Sequence, residues 1–222
     1  MRTRDKEIVW DLLSKHVART QSFVTAFALE QFNRIIDGIC NENRKELRLC
    51  RSALKDEQDQ LKKFRRKELL AMRRIPGKIA LERNTWFHLG ANCNQQFVYC
   101  LKRMLEPVKE HVDNNFNPLP QEYVNDFEGM RRKINELMGR TEQMISTNRY
   151  ELYQETLRVA DECKDELSVM RKRIIDMMYR DTDNTNLKVS LLYLNILQES
   201  QEFLSIMRHQ LRAAKNFLDD RQ

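Results

Sequence analysis

Residues 191–204 read Leu191-Leu192-Tyr193-Leu194-Asn195-Ile196-Leu197-Gln198-Glu199-Ser200-Gln201-Glu202-Phe203-Leu204. Around this stretch, Leu187, Leu191, Leu194, Leu197, Gln201, Leu204, Met207, Leu211, Ala214 and Leu218 recur at steps of three and four. That spacing keeps one face of a helix apolar and describes a seam packed against other helices. One polar residue, Gln201, interrupts it. A seam glutamine costs stability unless it is hydrogen-bonded, and it fixes register when it is.

Stepping back 106 residues from this seam gives Leu81, Thr85, His88, Ala91, Gln95, Val98, Leu101, Leu105, Val108 and Val112. Gln95 takes the place of Gln201, and Asn94-Gln95-Gln96-Phe97 falls on Ser200-Gln201-Glu202-Phe203. The pattern predicts an internal repeat, with Gln95 and Gln201 as the polar residues that set bundle register. Between the copies lies Asn114-Asn115-Phe116-Asn117-Pro118-Leu119-Pro120, dense in turn residues and proline.

Working outward, Ile8, Leu12, Val17, Phe23, Phe27 and Phe32 keep helical spacing from Asp5 onward. The first break falls near Asn33, or near Gly38 and Asn41. A second helix runs to about Ile75, where Pro76-Gly77 stops it. A third runs from near Lys78 to about His111, with Pro107 expected to kink it or end it early. In the second half, helices are expected from about Glu122 to Ile145, from Arg149 to about Tyr179, and from Leu187 to about Leu218. Ser146-Thr147-Asn148 and Asp181-Thr182-Asp183-Asn184-Thr185-Asn186 separate them, with Asn184 or Thr185 as an N-cap. The reading is an all-α protein of two tandem three-helix bundles, residues 1–115 and 116–222.

Composition agrees. The 222 residues include only 5 Gly and 4 Pro, too few for the tight turns of a sandwich or barrel. The net charge of +6 permits an acidic partner, nucleic acid or an anionic membrane face without demanding one. Cys40, Cys50, Cys93, Cys100 and Cys163 are odd in number and form no Cys-x-x-Cys pair. They signal neither a disulfide framework nor a cysteine zinc site, and fit buried small hydrophobes in a reducing compartment. No stretch approaches 18 uncharged apolar residues, and nothing of signal-peptide type follows Met1-Arg2-Thr3-Arg4-Asp5.

Motifs of catalysis are missing. The sequence has no phosphate loop, no Gly-x-Gly-x-x-Gly, no nucleophile elbow and no His-Glu-x-x-His. His16, His88, His111 and His209 are scattered. Asp161 with Asp165, and Glu162 with Glu166, share helix faces at i, i+4, as do Glu42 and Glu46. Such faces are candidates for a divalent metal, or else a solvated acidic surface beside Lys and Arg. The run Lys62-Lys63-Phe64-Arg65-Arg66-Lys67 is the leading basic contact, suited to anionic headgroups or an acidic partner. Aromatic residues other than Phe64 do not interleave with it, which disfavours binding of single-stranded nucleic acid.

The stretch 191–204, with Met207-Arg208-His209-Gln210-Leu211-Arg212-Ala213, resembles the PhoU-like family. So do Leu105-Glu106-Pro107-Val108 and His111-Val112-Asp113-Asn114-Asn115-Phe116-Asn117-Pro118-Leu119. The wording is nearest to the PhoU-like cytoplasmic domain of bacterial sodium/phosphate cotransporters. The resemblance implies a non-catalytic regulatory domain on the cytoplasmic side of a transporter, or the soluble part of a larger membrane protein. It would act through a membrane transporter domain, an anionic membrane surface or a second copy of the chain. A free-standing phosphate-signalling regulator, or a carboxylate-based metal-binding bundle, is the alternative. The family's metal motif, an acidic residue followed four positions later by Asp, reads Glu199 and Phe203 in the last helix and Cys93 and Phe97 in the third. Asp161, Asp165 and Glu199 are the remaining metal candidates.

Overall fold

The computed structural model describes residues 3–75, 77–180 and 186–218. Among them are six helices and no strand: α1 (Thr3–Cys40), α2 (Arg44–Met72), α3 (Gly77–Asp113), α4 (Gln121–Thr147), α5 (Tyr153–Arg180) and α6 (Leu187–Leu218). None of these helices is long and apolar enough to cross a membrane. The fold is an all-α bundle.

Helix ends follow from local chemistry. The Asn43 side chain accepts from the Glu46 N–H at 3.2 Å and caps α2, with Glu46 in the favourable first turn. Three connections contain a left-handed residue: Glu42 (φ 49°), Asn115 (φ 52°) and Asn148 (φ 52°). After each, a backbone N–H returns five residues: Asn43 to the Gly38 carbonyl (2.9 Å), Phe116 to His111 (3.1 Å) and Arg149 to Met144 (3.2 Å). This closure satisfies carbonyls that the helix end would orphan. Gly38 has a second use, since a Cβ there would lie 2.3 Å from Leu47 Cδ2, so its absence lets α1 and α2 meet closely.

Several expected boundaries move. α1 does not break at Asn33, whose amide donates across to Asn135 Oδ1 on α4 (2.8 Å) instead of competing for its own backbone. Ile35, Ile36 and Ile39, all buried, carry the helix to Cys40. Pro107 does not end α3, because buried Val108, His111 and Val112 follow it on the packed face. The expected break at 146–148 holds at its last residue: Ser146 and Thr147 stay helical, both hydroxyls donating to the Gln143 carbonyl, and left-handed Asn148 ends α4. α5 starts at Tyr153 rather than Arg149, whose N–H closes α4. Pro76, and the caps expected at Asn184 or Thr185, lie outside the described residues.

α3 and α6 make the most extensive interface, followed by α1 and α4. α3 and α6 run antiparallel. Their contacts proceed from Asn94 with Gln210 (2.9 Å), through Phe97 with Phe203, to Cys100 and Arg103 with Glu199. Phe97 and Phe203 are equivalent across the repeat, are both fully buried, and meet with ring centroids 5.2 Å apart. They therefore mark the pseudo-two-fold axis. Each half also packs within itself, α1, α2 and α3 mutually and α4, α5 and α6 mutually. The connection at 114–120 divides the chain, but one apolar cluster draws on helices of both halves. A second cluster, including Leu13, Met72, Phe87, Ile145 and Phe217, closes one end.

The repeat is visible in burial. Every buried residue of α3 lands on a buried residue of α6 when 106 is added, from Phe87 on Tyr193 to Val112 on Leu218. The buried residues of α5 (Thr156, Ala160, Cys163, Leu167 and Ile174) fall in the same way on Cys50, Leu54, Glu57, Leu61 and Glu68 of α2. Glu42 and Asn148, the left-handed residues after α1 and α4, are themselves 106 apart. One expectation needs correction. The first residues of each seam turn outward: Leu81 is 82% exposed, and Leu187 and Leu191 are also exposed. A straight helix of 3.6 residues per turn drifts off a strict seven-residue repeat, so Val189, Leu192, Tyr193 and Ile196 take over the buried face.

Candidate functional site

The metal and basic-contact candidates of the sequence lie on three separate faces. The first lies across the α3–α6 interface. Glu199 is buried, and Arg103 Nε donates to both of its carboxylate oxygens (3.1 and 3.2 Å), with Arg103 Nη2 also 3.1 Å away. The Cys100 thiol donates to the Glu199 carbonyl at 3.2 Å. Such a two-oxygen pairing is strong and directional. It supports the Arg103 guanidinium, whose pKa is raised first by this hydrogen bonding, and occupies the lone pairs a metal would need.

The second face holds Asp161 and Asp165 on α5. Asp161 pairs with Arg208 of α6 at 2.9 Å, and Asp165 is solvent-exposed. Glu162 pairs with Arg158 of its own helix, and Glu166 with Lys133 of α4. Three of these four carboxylates are thus matched to basic partners, as a solvated acidic face would be. Asp161, Asp165 and Glu199 are not brought together as a donor set. Among the described residues, no group of three or more His, Cys, Asp or Glu is arranged to hold a metal ion.

Gln201 is fully engaged. Its amide donates to the Lys164 carbonyl (2.8 Å) and to Ser168 Oγ (2.6 Å), and its oxygen accepts from Arg171 Nη1 (2.8 Å). It locks α6 against α5. Gln95 is half-buried and makes no corresponding tie among the described residues. The polar link of α3 is instead Asn94, which accepts from Gln210, whose own oxygen accepts from Thr25 Oγ1 at 2.8 Å. This buried ladder joins α1, α3 and α6.

The third face is the basic run on α2. Lys62, Lys63, Arg66 and Lys67 are exposed, and Arg65 is half-buried. Lys62 approaches Asp59 of its own helix at 3.8 Å. Phe64 is half-buried and meets the His16 ring edge-on, centroids 5.7 Å apart. Beneath this run lies a feature the sequence reading passed over. Glu68 is buried, its Oε1 3.2 Å from His16 Nε2. Burial pushes the Glu68 carboxyl up to about 7. Burial, with Lys67 and Arg19 nearby, lowers the His16 pKa. Glu57, about three turns earlier on α2, is also buried and raised by desolvation. The available signal was their place in the α2 seam, where Leu54 and Leu61 flank Glu57.

The cysteines are all free thiols, four buried and Cys40 half-buried. Burial pushes Cys50 and Cys93 up to about 12 and Cys40 and Cys163 up to about 11, so they are packed as apolar groups and not as thiolates. No family model matches the sequence, and neither a curated protein nor a solved structure does.

Proposed function

We propose that this chain is a non-catalytic regulatory domain of PhoU-like type, associated with sodium-dependent phosphate transport and working at the cytoplasmic face of a membrane. The observation that supports this best is the duplication: two three-helix units whose buried positions coincide at one offset and meet at Phe97 and Phe203. A tandem of three-helix units is what the resemblance implies. The shared α3–α6 interface gives such a domain a means of response, because partner contact on one half repacks the other through the common core.

The exposed cations of Lys62, Lys63, Arg66 and Lys67 supply the contact to anionic lipid or to an acidic transporter surface, at about 1 kcal/mol per cation near a charged membrane. Sodium-dependent phosphate uptake, measured in the source cells with this coding region deleted, is expected to lose its response to external phosphate. Unchanged uptake at every phosphate concentration would reject the transport role. The combined substitutions Lys62→Ala, Lys63→Ala, Arg65→Ala and Arg66→Ala are expected to abolish co-sedimentation with anionic vesicles. Undiminished co-sedimentation would reject the membrane contact.

A further inference from the structure

α2 and α3 enclose a half-open groove of about 770 Å³, lined by Arg48, Arg51 and Lys55 on one wall and Lys102 and Lys109 on the other. Leu54 and Leu105 form its floor. Five cations share the lining with one carboxylate, Glu106; Arg51 lies 3.5 Å from it, and Lys109 pairs with Asp113, one turn on along α3. Cations therefore outnumber carboxylates on the walls of this concavity. None of these residues belongs to the basic run at Lys62–Lys67. The groove stays hidden in sequence because its cations come in two separated sets at helical spacing.

The repeat shows what is unusual here. The positions equivalent to Lys55 and Lys102 are Asp161 and Arg208 in the second half. There they close on each other as an ion pair at 2.9 Å. In the first half the same two positions are both lysines, which cannot neutralise each other. Lys102 donates to Gln58, a neutral group, and among the described residues Lys55 pairs with no carboxylate. Like charges held on facing walls repel unless an anion lies between them. The volume falls within the range of small-molecule sites, and the leucine floor beneath charged walls limits water access from below. We propose that this groove binds an anion bearing several clustered phosphate groups, held between Lys55 and Lys102 with Arg48 and Lys109 at its ends. Arginine forks and lysine ammoniums are the donors that such oxygens require.

The inference does not rest on the transport role. It is tested by calorimetric titration of the full chain with inositol hexakisphosphate, with adenosine triphosphate and with inorganic phosphate. A parallel arm measures co-sedimentation with vesicles of phosphatidylcholine containing phosphatidylinositol bisphosphate. Lys55→Asp installs the second half's arrangement opposite Lys102, on an exposed position that folding tolerates. Arg132→Asp makes the same change of net charge on exposed α4 surface outside the groove. Affinity for the polyphosphates is expected to fall at least about tenfold in Lys55→Asp, which removes one charge-assisted contact and adds a repulsion, and to hold within about twofold in Arg132→Asp. That pattern with the free anions assigns a diffusible ligand, and the same pattern with vesicles alone assigns a lipid headgroup. Equal loss in both variants, or no binding of any probe by the unaltered chain, overturns the proposal.

Discussion

The seams of α2 and α5 occupy the same register and are built from different chemistry. Position for position, Cys50, Leu54, Glu57, Leu61 and Glu68 stand where α5 has Thr156, Ala160, Cys163, Leu167 and Ile174, and all ten are buried. The second half keeps its seam free of charge. The first half places two carboxylates in it. Register and burial therefore follow from the duplicated backbone, while the side chains at equivalent places have diverged toward charge in the first half. The groove follows the same division, with facing lysines in the first half and an ion pair in the second. What differs between the halves is where the chain stores uncompensated charge, and that is where its responsiveness to pH and anions should lie.

The largest effect is expected where the halves agree. Phe97 and Phe203 are fully buried and in contact at the pseudo-axis. Phe97→Ala and Phe203→Ala should each cost about 3–5 kcal/mol in denaturant unfolding. Phe203→Ala should be the costlier, since that ring also stacks on Phe32 at 5.2 Å. The double variant should cost less than the sum, by on the order of 1 kcal/mol, because the rings touch. Strict additivity would mean that the two rings do not share a core.

Next comes Glu68. Its carboxyl is raised by burial from 4.5 to about 7. Below pH 4.5 it is neutral whether the chain is folded or unfolded, and costs nothing through titration. Between about 4.5 and about 7 the unfolded chain releases the proton and the folded chain keeps it, so stability falls as pH rises. A gap of this size corresponds to about 3 kcal/mol at most. His16 acts in the opposite direction. Its lowered pKa removes stability as pH drops below 6.5. The comparison of the unaltered chain with Glu68→Gln isolates the carboxyl. Urea midpoints for the two should diverge progressively from pH 4.5 to 7, the glutamine variant gaining. Glu68→Ile, the residue of α5, should gain similarly at pH 8, and Ile174→Glu should lose by a comparable amount. Parallel pH curves would show that Glu68 titrates alike in the folded and unfolded chain, with no shift from burial.

Arg103 sharpens the contrast at the α3–α6 interface. Arg103→Met leaves Glu199 buried without its guanidinium and should cost about 1–3 kcal/mol. The equivalent His209 is exposed, and its counterpart to Glu199 is the thiol of Cys93. His209→Met should change stability by less than about 0.5 kcal/mol. Thermal melts of both variants check this, and equal losses would show that the ion pair adds nothing to the interface.

The helices, their number and the repeat were legible because amphipathic spacing reports directly which residues need burial. Gln201 was legible as a polar interruption. The partner of each face was not. Periodicity places Phe97 and Phe203 on apolar stripes but says nothing of the antiparallel approach that brings them together. Glu199 and Asp161 looked alike as metal candidates because a spacing rule cannot see Arg103 and Arg208 arriving from other helices. The groove cations escaped notice for the same reason. Arg48, Arg51 and Lys55 are separated from Lys102 and Lys109 by more than forty residues, and only the α2–α3 hairpin joins them. Asn33 misled in the other direction, since a residue that favours turns found its hydrogen bond on α4 and stayed helical.

The smallest expected effect compares the two closures after α1 and α4. Glu42 and Asn148 hold the same left-handed backbone, φ 49° and 52°. Asparagine tolerates that region better than glutamate does, because its short amide can satisfy itself locally. Asn148 gains a second advantage by donating to the Leu218 carbonyl at 3.2 Å, tying the end of α4 to the end of α6. Glu42→Asn should therefore stabilise the first half slightly, by about 0.5 kcal/mol, or about 1–2 °C in Tm for a chain of this size. Asn148→Glu should lose more than that, since strain and a hydrogen bond change together. If Glu42→Asn instead destabilises, the glutamate at that turn makes an interaction its equivalent lacks, and the first half's divergence extends to its turn as well as its seam.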